Sequence, residues 1–291
     1  MRYRIEHTTT LTFPTPVREH QCELRLAPRE DTYQRRLGMT ISVDPDAPLA
    51  SYQDSFGNLV HHFSITAPHE TLRTRLEAEV ETLLANPFGY TALPAAREMT
   101  WIADQMRTQP RLWDFVLHRS PFTPDLLRLD HGLALPARNG TASVLEAVQV
   151  AQQWVGEMLE YRSGVSTVDS PLEIALREKA GVCQDFAHLL VSIVRGWGVP
   201  ARYVMGYVDP GYLDDEEPAP EATHAWAEIL IPGAGWRGFD AVHQLVVNDT
   251  YVAVAVGRDH RDAAPQRGAF RGDDPGTPPD VTLHVIGQGQ Q

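Results

Sequence analysis

The spacing of apolar residues changes near residue 90, and the two sides of that change predict different secondary structure. Before it, apolar and polar side chains alternate along several short runs, as at Met39, Ile41 and Val43. A period of two residues is typical of strands that bury one face. The dipeptide Gly57-Asn58 lies between two further runs of this kind and predicts a turn. Residues before position 90 therefore predict a small antiparallel β domain.

The segment TLRTRLEAEVETLL, residues 71–84, fits two periods. Leu72, Leu76 and Val80 recur at helical spacing, but small or apolar side chains also occupy every second position. We predict a strand here, with a helix as the alternative. Residues 85–94 follow, and their prolines and glycine predict a linker.

Beyond the linker, apolar residues follow the helical period. We predict helices over residues 97–106, 142–161 and 171–180. The third has the sequence of a capping box, in which Ser170 is the N-cap residue and Glu173 stands three positions later.

A fourth helix is predicted directly after Gly181, which we expect to end the third one. Phe186, Leu190 and Ile193 lie on one face of an apolar run that stops at glycines and a proline near residue 198. This arrangement places Cys183 in the first helical turn.

Three strand-like runs follow this helix, and a short turn around Gly233 separates the last two. His224 stands at the head of one strand, and Asp240 lies near the end of the next. With the turn centred on Gly233, residue 224 faces residue 242, and Asp240 becomes a diagonal neighbour on the same face. A register shift by one residue would turn Asp240 to the other face. The last alternating run, residues 281–286, predicts a strand that returns to one of the sheets.

Composition narrows the class of protein. A chain of 291 residues with 43% hydrophobic residues can bury a sizeable core, and its two cysteines are too few for a disulfide scaffold. The net charge of −13 argues against nucleic acid or an anionic membrane as a partner. No run approaches the length of a membrane span, and the charged start lacks the apolar segment of a signal peptide. We therefore expect a cytoplasmic protein; its oligomeric state stays open.

The position of Cys183 indicates possible chemistry. The unpaired N–H groups and the dipole at a helix N-terminus stabilise a thiolate, and the same N–H groups can donate to an oxyanion. A buried, inert cysteine is the alternative. His224 can serve as a base and Asp240 can fix its tautomer, so the chain contains a complete set of groups for nucleophilic catalysis.

The segments GVCQDFAHLLVSIVRGWGVPARYVMGY, THAWAEI and GWRGFDAV resemble the transglutaminase-like superfamily, which has a papain-like core. The sequence around them looks like the bacterial branch, in which a β-rich domain precedes the core. The resemblance implies an α+β fold with an N-terminal antiparallel β domain over residues 1–90 and a transglutaminase-like core over residues 91–272. A C-terminal tail, residues 273–291, would contain the returning strand.

The same resemblance implies that Cys183 is the nucleophile, His224 the general base and acid, and Asp240 the orienting carboxylate. One departure follows Asp240, where the family usually has Pro, Thr and Asn and this chain has residues 241–243, Ala-Val-His. Because neighbouring strand residues alternate sides, we expect His243 to point to the opposite face and to have a structural role.

Other side chains are weaker candidates. Tyr161 could donate to the oxyanion, Gln184 could border the cleft and Trp226 could shield the base, although packing is the simpler interpretation of the two aromatic residues. Asp185 is most simply a helix cap. The acidic run at residues 214–217 is most simply a solvated loop, but it could border the cleft and attract a cationic group.

Three functions remain open. The chain could be an amide or peptide hydrolase that forms a thioester, a transglutaminase that uses an amine in place of water, or an inactive binding module. We favour hydrolysis of a peptide or protein amide. No cofactor and no metal are expected, because the 12 histidines include no HExxH motif and no paired Cys/His spacing.

Overall fold

The structure, a computed structural model, describes residues 1–129, 132–212, 223–273 and 276–288. Its strands are β1 (Arg2–Leu24), β2 (Gln34–Asp44), β3 (Ala50–Gln53), β4 (Leu59–Ile65), β5 (His69–Thr82), β6 (Glu160–Tyr161), β7 (Ala180–Gly181), β8 (Ala201–Val208), β9 (His224–Ile231), β10 (Gly235–Asp240), β11 (Leu245–Val246), β12 (Tyr251–Gly257), β13 (Gln266–Arg271) and β14 (Asp280–Gln288). Its α-helices are α1 (Ala95–Thr108), α2 (Asp114–Leu117), α3 (Val144–Met158), α4 (Leu172–Glu178), α5 (Cys183–Gly196) and α6 (His260–Ala263). None of these helices is long and apolar enough to cross a membrane.

The first sheet is antiparallel and is organised around β1, a strand of 23 residues. One half of β1 pairs with β5 and β14, and the other half pairs with β4 and β13. Strands β2 and β3 extend the sheet, which gives the order β2-β5-β1-β4-β3. The alternating burial of Tyr3, Ile5 and His7 agrees with the period of two in the sequence. The ambiguous segment is the strand β5, as predicted.

The C-terminal part of the chain returns to this first sheet. Strand β14 pairs with the first half of β1, which confirms the predicted returning strand. Strand β13 also pairs with β1, although it precedes the predicted boundary at residue 272. The boundaries of the domains stay a prediction, but the first sheet contains strands from both ends of the sequence.

The second sheet is antiparallel with the order β11-β10-β9-β8-β12. Strands β9 and β10 pair with Phe239 opposite Ala227, which is the register predicted from a turn at Gly233. Gly233 has a positive φ of 84°, and a Cβ atom there would lie 2.6 Å from the carbonyl oxygen of Thr91. A glycine is therefore required at this turn, and the turn fixes which residues of the two strands are neighbours.

Two buried clusters hold the layers together. Helices α3 and α5 pack against the second sheet through side chains that include Val148, Leu190 and Ile229. The first sheet packs against the same sheet through side chains that include Ile5 and Met205. The second sheet contributes to both clusters, so burial of apolar area fixes it against the helices and against the first sheet.

The residues before α5 differ from two predictions. Ser170 does not cap α4, because its Oγ accepts a hydrogen bond from the backbone N–H of Thr167 at 2.9 Å. The helix ends at Glu178, where Lys179 adopts a left-handed conformation with φ of 51°, rather than at Gly181. Gly181 instead lies against Asp185, whose Oδ2 would be 2.5 Å from a Cβ atom at that glycine.

Helix α5 begins as predicted, with Cys183 as its first residue. The carboxylate of Asp185 accepts a hydrogen bond from the backbone N–H of Val182 at 2.9 Å and another from the Ser166 hydroxyl at 2.5 Å. Asp185 is therefore a capping residue, and it fixes the direction in which the chain enters the helix.

Candidate active site

A cavity of about 470 Å³ lies where the start of α5 meets the two sheets. Its walls include Cys183 and Gln184 from α5, Met205 and His224 from the second sheet, and His7, Leu11 and Phe270 from the first sheet. Residue Cys183 is partly exposed, whereas His224 is 2% exposed. A molecule in the cavity can thus contact the sulfur while the imidazole stays shielded from water.

The imidazole of His224 joins Cys183 to Asp240. Its Nε2 lies 2.7 Å from Oδ2 of Asp240, across the β9–β10 hairpin, as the predicted register requires. Cys183 lines the same cavity as this imidazole. Because Nε2 is used by Asp240, Nδ1 is the ring nitrogen left for the thiol. The structure therefore brings together the three residues that the sequence singled out.

Electrostatics favour a charged imidazole at this position. Burial acts to lower the pKa of His224, but the charge and hydrogen bond of Asp240, together with Cys183, raise the pKa to about 10. Burial acts in the opposite direction on Asp240, yet the interactions with His224 and His243 hold the pKa of that carboxyl well below its ordinary value. These shifts favour an imidazolium at His224 and a carboxylate at Asp240 at neutral pH.

Asp240 accepts hydrogen bonds from other groups in addition to His224. Its Oδ2 accepts hydrogen bonds from Nδ1 of His243 at 2.8 Å and from the Tyr251 hydroxyl at 2.9 Å. Its Oδ1 accepts from the backbone N–H of Val242 at 2.9 Å. These contacts fix the orientation of the carboxylate, which in turn fixes the orientation of the His224 ring.

The prediction that His243 points to the opposite face is wrong. Strand β10 ends at Asp240, and residues 241–244 form a turn, so the alternation of a strand no longer applies at His243. The turn brings the His243 ring to 5.0 Å from the His224 ring, measured between centroids. Its side chain therefore belongs to the same hydrogen-bonded group.

His224, Asp240 and His243 also have the composition of a metal site. One ligand atom from each lies within 4.8 Å of the other two, and all three residues are buried. The hydrogen bonds from both imidazoles to the same carboxylate oxygen account for this proximity. We interpret the group as a hydrogen-bonded network that orients His224.

The weaker candidates lie in different places. Gln184 lines the cavity, and its side-chain amide donates to the carbonyl of Val168. Trp226 is buried in the second sheet beside His224, with its ring 6.3 Å from that imidazole, so it both packs and shields. Tyr161 packs against Phe186 in the helical core. It is not among the described residues that line the cavity.

The acidic run at residues 214–217 lies outside the described residues, and its place at the cleft stays a prediction. The donation of an oxyanion hydrogen bond by Tyr161 likewise stays a prediction. The sequence did not indicate that Tyr251 donates to Asp240. It also did not indicate that the first sheet forms part of the cavity wall, for example through Leu11. The alternating pattern of the first sheet indicated only that one face of its strands is turned inward.

Two family descriptions match parts of the chain. Residues 3–81 match the bacterial transglutaminase-like N-terminal region, and residues 132–241 match the transglutaminase-like superfamily. An uncharacterised protein of Mycobacterium leprae is 31% identical over 272 residues, which are 93% of this chain and 94% of that protein. An uncharacterised protein of Mycobacterium tuberculosis is 29% identical over 294 residues, covering 98% of this chain and 92% of that protein.

A solved structure has the same fold. The crystal structure of a candidate cysteine protease from Cytophaga hutchinsonii covers 100% of this chain and 92% of its own, with a TM-score of 0.72. The two sequences are 22% identical, so the likeness is one of fold. It confirms the predicted α+β architecture, with an antiparallel β region joined to a papain-like core.

Proposed function

Because the chain belongs to the transglutaminase-like superfamily, we propose that it is an amide or peptide hydrolase that forms a thioester on Cys183. The observation that carries the proposal is the cavity that Cys183, at the start of α5, lines together with His224, whose imidazole is hydrogen-bonded to Asp240. The substrate proposed is a peptide or protein amide.

The first half of the reaction forms the acyl-enzyme. The Cys183 thiolate attacks the amide carbonyl, and the developing oxyanion accepts hydrogen bonds from backbone N–H groups in the first turn of α5, at Cys183 and Gln184. Nδ1 of the His224 imidazolium then gives its proton to the leaving amine. The carbon–nitrogen bond breaks, the amine departs and a thioester remains on the sulfur.

The second half regenerates the enzyme. Neutral His224 takes a proton from water, and the resulting oxygen nucleophile attacks the thioester carbonyl. The carbon–sulfur bond breaks, the acid product leaves, and the sulfur returns as a thiolate beside protonated His224. Asp240 keeps its charge in both halves and stabilises the imidazolium.

Mass spectrometry after mixing with 4-nitrophenyl acetate tests the acylation step. We expect one acetyl group on Cys183, released by hydroxylamine as a thioester is, and none on Cys22. The Cys183→Ala variant should stay unmodified. An unmodified wild-type Cys183 would contradict the proposal and favour a binding module that retains the fold.

A glutamine-containing peptide, incubated with and without a primary amine, tests the acceptor. We expect a hydrolysis product in both reactions, either a cleaved peptide or glutamate in place of glutamine. A dominant amine conjugate would show that water is not the preferred acceptor and would identify the activity as transglutamination.

A further inference from the structure

We infer that the cavity beside Cys183 is the pocket that selects the substrate, and that it accepts an uncharged, apolar group of the acyl donor. The inference rests on the proposed function and names its substrate class. Among the described residues that line the cavity there is no Asp, Glu, Lys or Arg. A charged group placed there would lose its hydration, and only Cys183 and His224 could serve as ionic partners. Burial of a charge without a partner has a large free-energy cost.

Apolar side chains of the first sheet form part of the cavity wall. Leu11 in β1, Phe270 in β13 and Val281 in β14 are partly exposed and line the cavity. Partly exposed apolar side chains around a concave space can gain further burial when a ligand enters. The strands from both ends of the sequence therefore form part of the substrate pocket.

Two histidines of the first sheet that line the cavity, His7 and His20, already form hydrogen bonds with protein atoms. Nδ1 of His7 lies 3.0 Å from the Tyr207 hydroxyl, and its Nε2 lies 3.0 Å from the Thr9 hydroxyl. Nδ1 of His20 lies 3.2 Å from Nε2 of His69. These contacts leave the ring nitrogens of His7 with no free position for a ligand.

Burial also favours the neutral form of the histidines that line the cavity. Burial lowers the pKa of His7 to about 4, and burial together with His69 lowers the pKa of His20 to about 4. Burial likewise lowers the pKa of His260, which lines the cavity near α6. The wall therefore offers an anionic substrate no cation to pair with.

The size of the cavity suits a large apolar group. Its volume of about 470 Å³ is within the range of small-molecule pockets, about 300 to 1,000 Å³. A branched or aromatic side chain next to the scissile carbonyl would fit, and a longer acyl chain would gain about fourfold in binding for each buried methylene. The polar carboxamide of a glutamine side chain would gain much less from these walls.

Alkylation by N-alkylmaleimides measures the pocket without requiring turnover. We would compare the rate constants for Cys183 with N-ethylmaleimide and N-hexylmaleimide, each divided by its rate constant with N-acetylcysteine. We expect the hexyl reagent to be favoured by at least about tenfold, because part of its four additional methylenes becomes buried. Equal ratios for the two reagents would overturn the inference.

A matched pair of variants in β14 locates the preference. Val281 lines the cavity, whereas its neighbour Thr282 is exposed. Val281→Glu should reduce the hexyl-to-ethyl ratio by at least about fivefold, since it places a carboxylate in the pocket. Thr282→Glu should leave the ratio unchanged.

Leu11→Glu on β1 provides a second test of the wall if circular dichroism shows that Val281→Glu folds poorly. An unaltered ratio in a folded wall variant would contradict the assignment of the wall.

The outcomes separate this inference from the proposed function. Fast alkylation of Cys183 that does not depend on alkyl length would support the proposed nucleophile and contradict the apolar pocket. A Cys183 that reacts no faster than N-acetylcysteine with the ethyl reagent at pH 6 would count against the nucleophile itself. A length preference that Val281→Glu removes and Thr282→Glu retains is the result that both proposals predict.

Discussion

The two cysteines of the chain lie in opposite environments. Cys22 is inside β1, 3% exposed, between Phe63 of β4 and Gly268 of β13. Burial raises the pKa of its thiol to about 12. Cys183 begins a helix and borders the same cavity as His224, whose raised pKa favours an imidazolium.

The difference shows which surroundings make a thiol a nucleophile. Burial in the first sheet removes water from Cys22, so the neutral thiol is favoured. The start of α5 offers Cys183 backbone N–H groups, and β9 offers it His224. The same residue type is therefore a packing group in one region and a candidate nucleophile in the other.

Removal of each sulfur should give the largest contrast. We expect Cys183→Ala to lower kcat/KM at least about 10⁴-fold, since no thioester can form. Cys22→Ala should leave kcat/KM within about twofold and reduce the free energy of unfolding by about 1 kcal/mol, because it leaves a small buried void. Amide hydrolysis and urea unfolding of both variants measure the contrast. Equal activities of the two variants would contradict the assignment of Cys183 as the nucleophile and Cys22 as a packing residue.

Removal of the imidazole should make Cys183 resemble an ordinary thiol. We expect His224→Gln to lower kcat/KM about 10³-fold, because the thiolate loses its cation and the leaving amine loses its proton donor. The exposed His62 provides a control on the first sheet, and His62→Gln should have no effect. Similar activities of the two variants would show that the imidazole does not act in the reaction.

The charge of Asp240 should control the alkaline limit of activity. Because the pKa of His224 is raised to about 10, the protonated imidazole is present below that pH and is lost as the pH rises through it. The kcat/KM of the wild type should therefore fall near pH 10. Asp240→Asn should lower kcat/KM about 10²-fold and move this limb toward the ordinary histidine value of about 6.5. A pH–rate profile with the same alkaline limb in both proteins would contradict the role of Asp240.

The additional donors to Asp240 should have the smallest effect. His243→Gln and Tyr251→Phe each remove one hydrogen bond from a carboxylate that keeps its other donors. We expect each to lower kcat about fivefold with little change in KM, equivalent to roughly 1 kcal/mol. Steady-state kinetics of the single and double variants test this. Full activity in the double variant would make both residues structural only.

The pairing of His224 with Asp240 and the start of a helix at Cys183 were predictable because both depend on local features. The turn at Gly233 fixes the hairpin register, and a register once fixed places His224 and Asp240 on one face. The apolar face of α5 and the glycine before it indicated where that helix begins. These signals lie within a few residues of the groups that they place.

Other features depend on interactions that the local sequence does not specify. His243 was assigned to the wrong face because the end of β10, at Asp240, decides where alternation stops. Ser170 has the spacing of a capping residue, yet its hydroxyl pairs with Thr167. The pairing of β14 with β1 joins the two ends of the chain, and only this tertiary contact brings Val281 to the cavity.

Alkylation of the native protein by iodoacetamide at pH 6, followed by peptide mass spectrometry, tests the central distinction most directly. An ordinary thiol with a pKa of about 8.5 is only about 0.3% thiolate at this pH. We predict that Cys183 is modified at least about 10²-fold faster than Cys22, and that His224→Gln removes most of this advantage. Equally slow modification of the two cysteines in the wild type would contradict the assignment of Cys183 as an activated nucleophile.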